Sequence, residues 1–210
     1  MSIIEQLSSK TGDKTEVSNI KVAVQCVENP ALLSIISKSL TDRDDKLAAD
    51  CAEVFTKVAG ERPTLVVPYV GDLLKLLSHK HTKARWEAIH ALALIAEYAK
   101  EEVKQVLPLV LNIIHSDKST IARDYAVDMV ANYAKCGKEE AEVAFSILKE
   151  ALYLWEGKHA GHALGGLTNA AEFLTGHRDE LLQIGHDFST SSKGVVVKAA
   201  KKLIKAVGGR

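Results

Sequence analysis

The sequence has few aromatic residues and no excess of charge of either sign. Phe, Trp and Tyr together make up 5% of the 210 residues, and 27 Lys and Arg balance 27 Asp and Glu. A balanced chain has no global field to draw in nucleic acid or an anionic membrane surface. The hydrophobic fraction of 47% is nevertheless ordinary for a globular protein. We therefore expect a core built from Ala, Leu, Val and Ile, with few aromatic rings.

Cysteine is scarce, and long apolar runs are missing. The chain has three cysteines, Cys26, Cys51 and Cys136, which are odd in number and widely spaced. This pattern predicts reduced, buried thiols and no disulfide framework. The start of the chain, MSIIEQLSSK, has neither a basic leader nor the apolar stretch of a signal peptide. Apolar segments such as 106–114 fall short of the roughly 20 residues that span a bilayer. These features predict a soluble cytoplasmic protein that does not enter a membrane.

The motifs of common reaction chemistries are also missing. The sequence contains no GxSxG, no P-loop, no dinucleotide-binding fingerprint after a strand, no HExxH and no CxxC. We therefore expect no enzymatic activity, no catalytic residues and no cofactor. His159 and His162 raise one metal hypothesis, because a spacing of three in a helix can place two imidazoles on one face. A metal site needs a third ligand nearby, and the pattern supplies none.

What the sequence does contain is a repeat of helical segments. The stretch KARWEAIHALALIAEYA, which begins at Lys83, matches IARDYAVDMVANYAKCG when it is shifted by 38 positions. A weaker match lies 37 positions earlier. A period of this length with one helical unit per period is typical of an α-solenoid. Apolar spacing and turn residues predict helices at about 17–28, 30–40, 46–59, 66–78, 83–100, 103–114, 121–136, 138–155, 160–174, 179–188 and 194–207.

Both ends of the chain carry separate predictions. Residues 1–12 are polar after one apolar cluster and are predicted to be either a short flexible segment or a single turn. Asp13 and Glu16 have the form of a capping box for the first long helix. The run from Lys193 to the C-terminus carries lysines and no acidic residue, which suits a polar, dipole-compensating cap on the last repeat.

The turn before the second helix of a repeat carries a resemblance to a known family. Pro108 inside one helix, Asp117 in the turn and Arg123 early in the next helix resemble a HEAT repeat. Pro68 and Arg85 occupy the matching places one repeat earlier, but the turn position there is His79. The resemblance covers the chain from about residue 15. It implies an all-α, right-handed α-solenoid of about four to five antiparallel helix pairs, forming a single HEAT-like domain over 1–210, and a ladder of Asp and Arg side chains that is incomplete in this chain.

The resemblance also implies a class of function. HEAT solenoids mostly scaffold protein assemblies, so we expect a non-catalytic interaction module that binds a protein partner through its concave face, as a monomer or weak homodimer. That face is formed by the second helix of each pair. Its predicted partner-binding residues are Glu53, Lys57, Glu87, His90, Glu97, Asp124, Asp128, Asn132 and Lys135.

Two alternatives within the same fold stay open. The first is a nucleic-acid-binding protein resembling the HEAT-like DNA-alkylation-repair glycosylases, with Arg85, Trp86, Arg123 and Asp124 as the nearest candidates; neighbouring acidic residues oppose phosphate binding. The second is a HEAT-like lyase or hydroxylase with His159 and His162 as metal ligands. Four glycines between 157 and 166 indicate either close backbone packing, with Trp155 as the large neighbour, or a ligand pocket. The sequence favours close packing.

Overall fold

A computed structural model of the protein describes residues 2–209, and this part of the chain is helical without any β-strand. Within these described residues, thirteen α-helices are joined by turns and short 3-10 segments. In chain order they are α1 (Ser8–Thr11), α2 (Val17–Glu28), α3 (Leu33–Lys38), α4 (Asp45–Glu61), α5 (Val70–Leu74), α6 (Thr82–Ile95), α7 (Lys100–Ser116), α8 (Thr120–Tyr133), α9 (Lys138–Ala151), α10 (Leu154–Gly157), α11 (Ala160–Ala170), α12 (Arg178–Phe188) and α13 (Gly194–Gly208). The prediction of an all-α fold is confirmed.

The chain divides into two compact units, Met1–Lys104 and Gln105–Arg210. In the first unit, α4 packs between α2 and α6. In the second, α11 packs against α8, α9 and α13, and α12 packs on α13. The single domain over 1–210 that the sequence predicts stays a prediction.

Most helices begin and end near the predicted residues, and the clearest difference is around Pro68. The sequence predicts one helix over about 66–78, whereas the structure has two 3-10 turns, Pro63–Leu65 and Val67–Tyr69, followed by the short α5. Proline lacks the backbone N–H that a helix interior needs, and its ring disfavours helical backbone in the preceding residue. The apolar spacing survives, because Val66, Val70 and Leu73 are buried all the same.

Within residues 2–12, the chain forms short helical turns that contact α2 and α4, in line with the alternative of a turn. Ile3 and Leu7 are buried. The amide of Ser8 donates to Oδ1 of Asn19 over 2.9 Å, and the amide of Ser9 donates to Asp50 Oδ2 over 2.6 Å. A side chain from α2 and one from α4 thus satisfy the amides that begin α1.

The predicted capping box at the start of α2 is half right. Asp13 does accept from the first turn, since its Oδ2 is 2.9 Å from the Ser18 amide. Glu16 does not complete the box; its carboxylate instead accepts from Nζ of Lys57 over 2.7 Å. The hydrogen bonds to Thr15 and Ser18 hold the pKa of Asp13 below its ordinary value.

The core consists mainly of Ala, Leu, Val and Ile, as the composition predicts. Cys26 and Cys51 are buried and unbridged, while Cys136 is half-buried and unbridged. Burial raises the pKa of the Cys26 thiol to about 11 and raises the pKa of Cys51 as well. The expectation of buried, reduced thiols thus holds for Cys26 and Cys51.

Within residues 2–209, no single helix has both the length and the apolar character to cross a membrane. By length and composition alone, the bent pair Val17–Glu28 and Pro30–Lys38 reaches that threshold together.

Candidate functional site

The nine residues predicted to bind a partner do not share one environment. Glu53 and Glu87 are only 2% and 4% exposed, so the expectation that they lie on an open surface is wrong. Lys57, His90, Asp124, Asp128 and Asn132 are half-buried, and Glu97 and Lys135 are exposed.

Glu53 is buried because it belongs to a polar network inside the first unit. The Nδ2 amide of Asn19 donates to Glu53 Oε2 over 2.9 Å and to Asp50 Oδ1 over 2.9 Å. Nζ of Lys83 donates to the same Glu53 oxygen over 2.8 Å. Buried carboxylates are tolerated when donors satisfy them in this way. The network joins α2, α4 and α6 and is explained by packing alone.

Glu87, one repeat later, lies beside this network on α6. Burial and, to a smaller extent, the nearby carboxylate of Glu53 raise the pKa of its carboxyl to about 7, although a hydrogen bond with Thr56 acts in the opposite direction. The Thr56 hydroxyl donates to the backbone carbonyl of Glu87 over 2.9 Å. Thr56 therefore ties α4 to α6 at this point.

The second unit contains a buried cluster centred on Arg123, which is 3% exposed. Its Nε donates to Nε2 of His159 over 3.0 Å, and its Nη1 donates to the backbone carbonyl of Asp117. On the other side of His159, Nδ1 lies 2.6 Å from Oδ1 of Asp124. Because a guanidinium only donates, His159 Nε2 must accept and Nδ1 carries the proton that faces the carboxylate.

Arg85 makes the same turn contact one repeat earlier, in the first unit. Its Nη1 donates to the backbone carbonyl of His79 over 2.7 Å. Each arginine thus reaches the carbonyl six residues before it, whether the turn residue is His79 or Asp117. The contact between the arginine and the turn carbonyl thus recurs in both repeats.

Trp155 covers the Arg123 cluster from a strained turn. The indole ring centre lies 3.9 Å from Cζ of Arg123, and indole Nε1 donates to the carbonyl of Ile114 over 2.9 Å. Trp155 and Glu156 both have left-handed backbone, with φ of 53° and 57°, and Gly157 follows at 67°. Two consecutive non-glycine residues in this region are strained and persist only where surrounding contacts hold them. Trp155 therefore packs on Arg123, not on the glycines as the sequence suggested.

His162 lies one turn after His159 on α11 and faces the same helix, α8. Its Nδ1 is 2.7 Å from Oδ1 of Asp128, and its Nε2 is 3.7 Å from Oδ1 of Asp124. The hydrogen bond to Asp128 raises the pKa of His162 above its ordinary value, with burial acting against it and Asp124 adding to it. The imidazole is 41% exposed, so this pair lies at the edge of the surface.

A groove runs beside His162, over α11. It consists of two adjoining cavities of about 380 Å³ each. We define the α11 groove by their lining residues: Asp128, Ala131, Asn132, Gly161, His162, Gly165, Gly166, Thr168, Asn169, Val195, Lys198, Ala199 and Lys202. The α8 wall carries Asp128 and the α13 wall carries Lys198 and Lys202.

Two adjacent glycines of α11, Gly165 and Gly166, differ in how closely other atoms pack against them. A Cβ on Gly166 would lie 2.8 Å from Cβ of Ala131 and 2.8 Å from Cδ2 of Leu148, so close helix packing requires glycine there. A Cβ on Gly165 would meet nothing within 4 Å. Glycine in a helix interior costs about 1 kcal/mol relative to Ala, and at Gly165 no packing contact explains that cost. The Gly165 backbone leaves the floor of the α11 groove open.

The histidines do not assemble a metal site in the described structure. Both ring nitrogens of His159 face protein partners, Arg123 and Asp124. Among residues 2–209, no three His, Cys, Asp or Glu side chains come together in a way that could hold a metal ion. The third ligand that such a metal site would need is therefore not found in this part of the chain.

The fold belongs to the class of α-helical repeat proteins of the HEAT and armadillo type, and solved structures support this. A designed armadillo repeat protein, YIII(Dq)4CqI, matches with a TM-score of 0.73 at 18% identity, over 98% of this chain and 98% of that one. A second, designed armadillo repeat protein YIII(Dq.V1)4CPAF in complex with the peptide (KR)4, matches with a TM-score of 0.74 at 19% identity, again over 98% of each chain.

A natural protein shares the fold as well. The archaeal HEAT-like repeat protein from Thermococcus onnurineus NA1 matches with a TM-score of 0.56 at 11% identity, over 92% of this chain and 93% of that one. The sequence matches no protein-family model and no curated protein. The similarity therefore establishes the repeat fold, and function has to be argued from this chain's own residues.

The residues that the sequence predicts to bind a partner include only the α8 side of the α11 groove. Asp128 and Asn132 were predicted, but Asn169, Val195, Lys198 and Lys202 were not. The glycine run predicts close packing in preference to a pocket, whereas the structure has close packing at Gly166 and an open groove at Gly165. The spacing of Asn169 from Asn132, which is close to the repeat period, was the available signal.

Proposed function

We propose that the protein is a non-catalytic interaction module whose second unit binds an extended segment of a partner protein in the α11 groove. Proposed partner contacts are Asp124, Asp128 and Asn132 from the predicted set, together with the groove residues of α11 and α13. The observation that carries the proposal is Gly165, a helix-interior glycine that keeps the groove floor open without any packing contact of its own.

The lining suits a polypeptide better than a small apolar ligand. Asn132 and Asn169 both line the groove, and a carboxamide can donate to a backbone carbonyl and accept from a backbone amide. These two carboxamides lie about one repeat apart. An extended peptide has regularly spaced backbone amides and carbonyls that could bond to both. Gly161 and Gly165 allow that chain to approach the helix backbone closely.

The charges of the groove favour a segment with a basic side chain near α8. Asp128 lines the groove, and Asp124 lies behind it, 3.7 Å from His162. Lys198 and Lys202 on α13 suit an acidic group at the other side. The designed armadillo relative in complex with the basic peptide (KR)4 supports peptide binding by this kind of fold. Carboxylates at the α8 wall oppose nucleic-acid phosphate.

Fluorescence anisotropy with labelled, end-capped peptides tests the proposal. We expect (KR)4 to bind about tenfold or more tightly than a Gly/Ser peptide of the same length, because a Lys or Arg pairs with Asp128. A peptide of alternating Lys and Glu should bind more tightly still, because its acidic side chains also meet Lys198 and Lys202. Gly165→Leu should fill the floor and abolish binding while leaving the fold intact, since its side chain enters open space. Gly60→Leu, at another helical glycine with nothing within 4 Å but in the first unit, is the matched control and should bind normally.

Two results would contradict the proposal. One is unchanged peptide binding in Gly165→Leu; the other is the absence of binding by every peptide. A short DNA duplex, titrated at low salt in the same assay, tests the nucleic-acid alternative directly. Tight DNA binding that survives Gly165→Leu would favour that alternative over the peptide groove.

A further inference from the structure

His162 lies against Asp128, the carboxylate to which the proposed function assigns a partner's basic side chain. Its Nδ1 is 2.7 Å from Oδ1 of Asp128, a carboxylate that lines the α11 groove, and its Nε2 is 3.7 Å from Asp124. His162 itself lines the same cavity and is 41% exposed. A protonated imidazole in this position neutralises the charge that would otherwise attract a basic side chain.

Resting on the proposed function, we infer that His162 is a specificity-determining residue that competes internally with the partner's Lys or Arg for Asp128. When the imidazole is protonated, it forms an ion pair with Asp128 and the groove is closed to a second cation. When the imidazole is neutral, Asp128 is left with a neutral hydrogen-bond donor, and a Lys or Arg of the partner replaces it. Binding of a basic segment then releases the proton of His162.

The surrounding charges fix the direction of the effect. From α8, Asp124 and Asp128 face the imidazole. From α11, His159 is held by Arg123 and Asp124, so its ring nitrogens are already engaged. From α13, Lys198 and Lys202 line the adjoining cavity. The two carboxylates favour the protonated imidazole, as the raised pKa of His162 reflects. Near and below that pKa, the partner must displace a charged group.

Proton linkage makes the prediction quantitative. A ligand that binds only the deprotonated form gains affinity by up to about tenfold per pH unit below the pKa of the competing group, and nothing above it. We expect the affinity for (KR)4 to rise from pH 5.5 toward pH 8 and then level off. Lys and Arg of the peptide stay charged throughout this range, because their pKa values lie above about 10.

The test measures peptide affinity by anisotropy at constant ionic strength from pH 5.5 to 8.5, for the whole chain and for His162→Gln. Glutamine can still donate to Asp128 but does not titrate, so this variant should bind with an affinity that barely changes with pH. His186→Gln, an exposed histidine on α12, is the matched control and should keep the pH slope. Calorimetry in two buffers of different ionisation enthalpy should show proton uptake by the buffer near pH 6 for the unaltered chain but not for His162→Gln.

The possible outcomes distinguish a failure of the role of His162 from a failure of peptide binding in the α11 groove. Binding of (KR)4 with a flat pH profile, or the same slope in His162→Gln, overturns the role of His162 and leaves the peptide groove standing. Loss of binding at every pH in the unaltered chain rejects the proposed function, and the inference falls with it.

Discussion

Arg123 and His159 fix each other's hydrogen-bonding roles inside the second unit. The guanidinium Nε donates to imidazole Nε2 over 3.0 Å, which forces the imidazole proton onto Nδ1 and toward Asp124, 2.6 Å away. His159 is fully buried, so these hydrogen bonds join α8 directly to the residue that precedes α11. The same guanidinium supports the indole of Trp155 at 3.9 Å. Arg123 thus contacts both Trp155 in the turn before α11 and His159 at the start of α11, the helix that forms the floor of the groove.

Arg123→Lys should destabilise the protein by about 2 to 3 kcal/mol, since hydrogen bonds to a buried charged group are lost. Lysine keeps the charge but has no fork to reach His159, the Asp117 carbonyl and Thr120 together. Urea unfolding measures the loss. Arg85→Lys is the control, because Arg85 is half-buried at the equivalent position and should cost less. Equal losses at both sites would show that the hydrogen bond to His159 adds nothing.

Sequence periodicity predicted the helices well because core burial in a repeat depends on apolar spacing alone. Leu73 and Leu77 are buried as expected, even though the helix that should carry them is mostly broken by Pro68. The sequence could not locate the polar contacts, because these join side chains roughly one period apart. Asn19 and Glu53 differ by 34 positions, and Asp124 and His159 by 35. Within one repeat, each looks like an ordinary solvent-facing residue.

Glu87 should make the protein less stable as the pH rises from about 4.5 to about 7. Its pKa is raised from 4.5 to about 7 in the folded state, so over this range the folded protein keeps a proton that the unfolded chain has lost. The stability that this proton supplies is present below the unfolded pKa and lost as pH passes the folded one. The total is about 3 kcal/mol at 1.36 kcal/mol per pKa unit.

Glu87→Gln should remove that pH dependence, because the amide resembles the neutral carboxyl and does not titrate. We expect the variant to be more stable than the unaltered chain above pH 7 and similar to it near pH 4.5, as measured by urea unfolding across pH. Glu28→Gln, on an exposed residue, should parallel the unaltered chain at every pH. A constant difference between Glu87→Gln and the unaltered chain would contradict the raised pKa.

Alanine at the two adjacent glycines of α11 should have opposite effects. Gly165→Ala should stabilise the protein by about 0.5 to 1 kcal/mol, since helix propensity improves and no atom is met. Gly166→Ala places a Cβ 2.8 Å from Ala131 and Leu148, and overpacking of this kind costs about 1 to 3 kcal/mol. Thermal unfolding of the pair checks both signs in one experiment. Stabilisation by both would mean that α9 and α11 can separate freely.

The thiols should differ in their reactivity with an aromatic disulfide reagent. Burial raises the pKa values of Cys26 and Cys51, and it is the thiolate that reacts. Only the half-buried Cys136 should therefore react in the folded protein, with the other two following the rate of unfolding. Cys136→Ser should abolish the fast phase, and Cys26→Ser should leave it intact. Fast reaction of two or more thiols would contradict the burial of these side chains.

Glu156→Gly should stabilise the protein by relieving strain in the turn before α11. Glu156 has φ of 57°, and a non-glycine residue in this region costs about 1 to 2 kcal/mol. Glycine adopts this conformation without strain. It also gives the unfolded chain more conformational entropy, and this cancels about 0.5 to 1 kcal/mol of the gain in stability. We therefore expect a net gain below about 1 kcal/mol, measured by urea unfolding. Lys158→Gly is the control: Lys158 has ordinary helical backbone, with φ of −64°, so glycine there brings only the entropic cost and should destabilise. If both variants lose stability equally, the left-handed conformation of Glu156 is not strained.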